Sequence, residues 1–266
     1  MPVVDFFASH PVFSRDEFVQ FLKQRGAPSV ETANVHLKRY LASGRIARVK
    51  RGVYVAAGPG ETAHRGALDF PLVASRLVPD AVLAYHTALE VHGYAQSLFE
   101  RLFFLTASKA KPLTFRHRRF VPVAPPKPLR GQSQYFSHTT EVERRGLPCR
   151  VTTLERTVVD VLGRPDLAGG LEEVWRSLAG IPLLDLDAVL DYVRLRGLAT
   201  LAGRVGLFLE QRKGALAVPA HVLDALRALR PKQVQYLDRR HRGRLAPGWN
   251  LIVPEALLAE ARGAVA

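Results

Sequence analysis

Ser29, Thr32, His36 and Arg39 fall at spacings that set them along one side of a helix, with Val35 between them. Hydroxyls, an imidazole and a guanidinium on one helical face can hydrogen-bond base edges in a DNA major groove, and an apolar group there can meet a thymine methyl. Arg48, Lys50 and Arg51 follow closely, crowded around a glycine, Gly52. Cations at such a tip suit contacts to phosphates, which position a protein on a duplex without reading its sequence. A second set of cations, Arg116, Arg118, Arg119, Arg239, Arg240 and Arg242, is a candidate for another polyanion contact.

Catalytic arrangements are harder to find. The chain has no glycine-rich phosphate loop, no Gly-x-Ser-x-Gly and no His-Glu-x-x-His. His86 and His92 stand six apart and so point from different helix faces, which makes a poor metal pair. Cys149 is the single cysteine. It cannot form an internal disulfide, and it reads as a buried thiol beside Arg150. Glu155 and Asp160 lie five apart on one helix, where a nuclease would want clustered carboxylates around Mg²⁺. They read instead as side chains that hold loops by hydrogen bonds, together with Thr157. The expectation is no catalytic residue, no metal and no cofactor.

The elements that position the first set can be read in order. Ser14-Arg-Asp-Glu17 is a capping box, followed by an apolar face of Phe18, Phe21 and Leu22 and a stop at Gly26. Pro28 and Ser29 open a second helix whose core side carries Val30, Ala33, Leu37 and Leu41, with Gly44 ending it. Ile46 to Lys50 reads as a strand, Arg51-Gly52 as a tight turn and Val53 to Val55 as the returning strand. Helix, turn, helix and basic hairpin is the winged helix-turn-helix order. Val3, Val4, Phe6 and Phe7 suggest a further helix before Ser14.

Ala56 to Gly60, with two glycines and a proline, reads as a boundary between residues 1–57 and residues 61–266. Beyond it the periodicity predicts helices over 68–79 and 82–92, then strands over 102–105, 114–123, 134–137 and 149–152. Helices follow from Thr153 to Leu162 and over 170–179, 186–196, 201–211 and 220–228. A last strand covers 249–253. This is an α+β order: an N-terminal winged helix-turn-helix domain, then a larger mixed α/β domain.

Composition narrows the partners. The 266 residues carry 38 Lys+Arg against 24 Asp+Glu, a net charge of +14, so a polyanion is expected and nucleic acid is its first candidate. The positive charge sits in three blocks: residues 1–60 at net +5, 101–130 at net +8 with no acidic side chain, and 211–266 at net +6. No stretch approaches a membrane span, and the N-terminus lacks the pattern of a signal peptide. With one cysteine, a reducing cytoplasm is the expected location.

Four segments resemble a known family. Gly44-Arg45-Ile46 with Arg48-Val49-Lys50-Arg51-Gly52-Val53-Tyr54 resembles the wing of AbiEi-type antitoxins, regulators of type IV toxin–antitoxin and phage-defence systems. His86 to Gly93, Thr153 to Asp160 and Trp249 to Pro254 fit the same family in order and spacing. The resemblance implies a winged-helix domain followed by an antitoxin domain. It implies binding of double-stranded DNA at inverted repeats in the protein's own promoter. It also implies repression of an operon encoding a nucleotidyltransferase-like toxin, with no stable toxin–antitoxin complex. Gly52 and Tyr54 carry over as wing positions. Two other readings stay open: a metal-dependent nuclease targeted by a winged helix, with Glu155 and Asp160 as ligands, and an RNA- or protein-binding regulator.

Overall fold

The computed structural model describes residues 3–26, 30–58, 60–131 and 134–258. It is a mixed α/β structure with helices and several sheets. The chain packs into two compact units. One holds Met1–Leu83, Phe99–Ala124 and Thr140–Val151; the other holds Ala84–Leu98, Pro125–Thr139 and Thr152–Ala266. Residues 61–266 thus contribute to both.

The first unit begins with α1 (Val3–Ser9), β1 (Val12–Ser14), α2 (Arg15–Lys23), α3 (Val30–Ala42), β2 (Ile46–Lys50) and β3 (Val53–Ala56). The capping box at Ser14 is complete: the Glu17 amide donates to Ser14 Oγ at 3.1 Å, and the Ser14 amide donates to Glu17 Oε2 at 2.6 Å. Phe6, Phe7, Phe13, Phe18 and Tyr54 are buried in contact with one another. Each buried Phe among them contributes roughly 1.5–3 kcal/mol by leaving water. Ala33 and Leu37 turn α3 into that core, with Val30, Tyr40 and Leu41 packed at its margin, so the opposite side of α3 faces out. The sheet runs β1-β3-β2, with all of β3 buried at its centre. The arrangement is consistent with a winged helix-turn-helix. The sequence reading missed β1, three residues too short to show a period.

The same unit carries α4 (Phe70–Ser75), β4 (Val82–Leu83), β5 (Arg101–Leu105), β6 (Leu113–Phe115), β7 (Arg118–Val123), and all but an end residue each of β8 (Thr139–Arg144) and β9 (Leu147–Thr152). These strands form a six-stranded sheet ordered β6-β7-β5-β4-β9-β8. Several expected elements are corrected here. The strand expected over 114–123 is a hairpin, because Arg116 takes φ 52° at the turn and its guanidinium anchors there. Residues 134–137 form turns closed by Tyr135 N–H to Gly131 O and Ser137 N–H to Gln134 O, and the strand starts at Thr139. The helix expected over 68–79 is only α4, capped by Asp69, whose carboxylate accepts from the Leu72 amide at 2.9 Å. Buried Val82 and Leu83 pair in the sheet, so the helix expected over 82–92 begins only after Tyr85, at φ 55°.

The second unit holds α5 (His86–His92), α6 (Leu154–Gly163), α7 (Leu171–Ala179), α8 (Leu186–Arg196), α9 (Ala199–Gln211), α10 (Ala220–Leu229) and a small sheet of β10 (Gln235–Tyr236), β12 (Leu251–Pro254) and β11 (Gly243–Ala246) in that order. Trp249, expected in the last strand, precedes β12. It is fully buried, donates from its indole to Glu210 Oε2 at 2.7 Å and packs on Gly206, where a Cβ would lie 2.0 Å from the ring.

Candidate nucleic-acid interface

On the outer side of α3, Val35 is 66% exposed and Arg39 is exposed, while Thr32 and His36 are half-buried. The His36 ring lies 6.2 Å from that of Tyr40, in a stacked orientation. Lys38, also exposed on α3, adds a cation that the spacing argument passed over. Asn34, by type a good adenine reader, is instead held by Arg15 Nε at 3.0 Å, which ties the start of α2 to α3. Ser29 lies outside the described residues.

The wing forms as expected from Ile46–Lys50 and Val53–Ala56. Gly52 takes φ 81°, which an L side chain resists, although a Cβ there would meet open space. Arg48 and Arg51 are exposed, and Lys50 is half-buried. The register shifts between Arg48, opposite Tyr54, and Lys50, opposite Val53. Such a bulge re-aims side chains and tightens the local twist. No sequence period announces it. Among the described residues, no carboxylate lies within ion-pair distance of Lys38, Arg39, Arg48, Lys50 or Arg51. These cations are therefore not neutralised internally.

The other candidate cations divide. Arg116 donates to Gly66 O at 2.7 Å and to Ala63 O at 2.5 Å, and burial lowers the pKa of its guanidinium. Arg118 donates to Phe99 O and lies over the Phe70 ring at 5.2 Å. Both therefore hold backbone in place, and Arg119 is the exposed one of the three. In the second unit Arg240 pairs with Asp238, and the bond from Arg240 pulls the Asp238 carboxyl down to about 2. Arg239 and Arg242 are exposed.

The carboxylates of the nuclease reading are engaged elsewhere. Asp160 is buried and accepts from Arg196, from Tyr192 Oη at 3.0 Å and from Arg156 Nε at 3.3 Å. Arg156 is itself fully buried and reaches Ser137 O at 2.8 Å. Glu155 accepts from the Asp185 amide at 3.4 Å, and Thr157 bonds Thr152 and Thr153, so all three side chains fasten α6 to neighbouring segments. Cys149 is buried, and burial raises the pKa of its thiol. Among the described residues no group of three His, Cys, Asp or Glu side chains is placed to hold a metal ion, and no helix is long and apolar enough to cross a membrane.

Residues 1–57 match the family of AbiEi antitoxin transcriptional regulators. This AbiEi-type segment contains every described residue of the α3 face and the wing. The crystal structure of the RV2827C protein from Mycobacterium tuberculosis superposes on 98% of this chain and 93% of that one, with TM-score 0.60 and 17% identity. At that identity the likeness is one of fold. It runs well past the AbiEi-type segment. No curated protein matches the chain.

Proposed function

We propose that the chain is a sequence-specific DNA-binding repressor, the AbiEi-like antitoxin of a type IV toxin–antitoxin system. Residues 1–57 bind inverted repeats in its own promoter, and residues 61–266 carry the antitoxin function. Ser29, Thr32, His36 and Arg39 meet bases or phosphates, and Arg48, Lys50 and Arg51 hold the wing on the backbone. The observation that carries this reading is the unneutralised wing beside an exposed α3 face, within the AbiEi-type segment. Its functional partner is a nucleotidyltransferase-like toxin from the same operon, with which it forms no stable complex. It acts in the cytoplasm, without cofactor or catalysis.

A reporter driven by the protein's own upstream DNA tests the reading. Supplying the chain lowers expression, and the pair Lys50→Ala and Arg51→Ala restores it. Equal expression with and without the chain contradicts autoregulation.

A further inference from the structure

We propose that Lys109 and Lys111, on the loop joining β5 to β6, extend the DNA-binding surface beyond the wing and clamp a further stretch of duplex phosphate backbone together with Lys50. This rests on the DNA-binding reading above and deepens it. A groove of about 300 Å³ brings the three lysines together; Leu77, Val78 and Phe104 supply part of its apolar floor, and no acidic side chain lines it. Lys50 ends the wing strand β2, so the groove adjoins the wing directly. Lys109 and Lys111 are exposed, and among the described residues no carboxylate pairs with any of the three. Apolar walls of low dielectric concentrate the field of such cations toward an approaching polyanion.

The loop is also held in place from beneath. Asp80 accepts from Thr106 Oγ1 at 2.7 Å, from the Ala107 amide at 2.8 Å and from Ser108 Oγ at 3.1 Å. The Ser108 amide donates to Thr106 Oγ1, and the Ala110 amide to Ser108 O. Burial works against ionisation of Asp80, yet the bonds from Thr106, Ala107 and Ser108 outweigh it and keep the carboxyl below its ordinary range. The negative charge that fixes the loop is thereby spent on loop donors. A fixed loop gives up less freedom on binding than a mobile arm. A polymer of phosphates that already runs along the wing is the partner that meets all three ammonium groups.

The test measures binding of the full chain to two labelled duplexes, one from upstream of its own gene and one scrambled, across a salt series. Lys109→Gln with Lys111→Gln lowers the salt slope by up to about two units and weakens both duplexes alike, roughly ten-fold at about 150 mM salt. Lys109→Arg with Lys111→Arg keeps the slope. Lys127→Gln with Lys213→Gln, exposed lysines of the other unit, leaves it unchanged. An unchanged slope in the Lys109/Lys111 glutamine pair, while the wild type binds, overturns this inference alone. An equal loss in the Lys127/Lys213 pair also overturns it, since charge anywhere would then suffice. Failure of the wild type to bind either duplex overturns this inference and the DNA-binding reading together.

Discussion

Asp160, itself buried, serves two arginines and a tyrosine at once. Its charge stabilises only because its partners are all present. Asp160→Asn leaves buried guanidinium groups without a counterion, and such losses cost about 3–5 kcal/mol. The urea midpoint should fall accordingly; an unchanged midpoint would mean the cluster is not the anchor of α6. His86 makes a second residue-scale test. Burial pushes its pKa down from 6.5 to about 4, against the opposing pull of Glu173. The unfolded chain therefore takes up this proton at higher pH than the folded one. The stability that His86 preserves is full above pH 6.5 and drains away as pH falls toward about 4, by about 3 kcal/mol in all. His86→Gln should flatten that part of the stability profile, and identical profiles would refute the assignment. The sequence showed that Glu155, Thr157 and Asp160 sit on one core helix, and so suggested anchors. Arg156, four residues before Asp160 on the same helix, is within reach of such a reading, whereas Arg196 is not, because it lies on a different helix. For the same reason it ranked Arg116 and Arg118 with Arg119, although two of them are bound to backbone carbonyls.

At the scale of elements, local chemistry was legible wherever the decisive bonds are short in sequence. The Ser14 cap, the α3 core face, the Arg51-Gly52 turn and the helices from Thr153 onward all rest on neighbours within about four residues. Elements whose existence depends on distant pairing were missed: β1 against β3, Val82–Leu83 against β5 and β9, and the two short strands beside β12. The capping box shows both kinds at once. Glu17 Oε2 closes the box, as the spacing predicts, while Oε1 accepts from Arg76 at 2.8 Å, which no spacing reveals. Ser14→Ala should cost about 1 kcal/mol in chemical denaturation. Glu17→Ala should cost more, since it also leaves the Arg76 ion pair unmade. Equal losses would mean that the Arg76 bond contributes nothing.

For the whole molecule, net charge announced a polyanion and the structure sorts that charge into uses. Some arginines hold backbone, some pair with carboxylates, and others, Arg48 and Arg51 of the wing among them, stand exposed with no carboxylate in ion-pair range among the described residues, as do Lys109 and Lys111. Composition cannot make that division, because it counts a stapled arginine and an exposed one alike. The division into two units was equally out of reach. Each is assembled from separated stretches of chain, whereas periodicity reports only on contiguous ones. On the proposed function, the α3 face reads bases while the wing supplies sequence-independent grip. Equilibrium binding of the full chain to its upstream duplex and to a scrambled duplex, at about 150 mM salt, tests it most directly. Base reading by α3 predicts tighter binding to the upstream duplex by on the order of a thousand-fold or more. Arg39→Ala should shrink that ratio, and Lys50→Ala with Arg51→Ala should weaken both duplexes while preserving it. Equal affinity for the two duplexes would contradict base reading by α3 and leave only a basic surface.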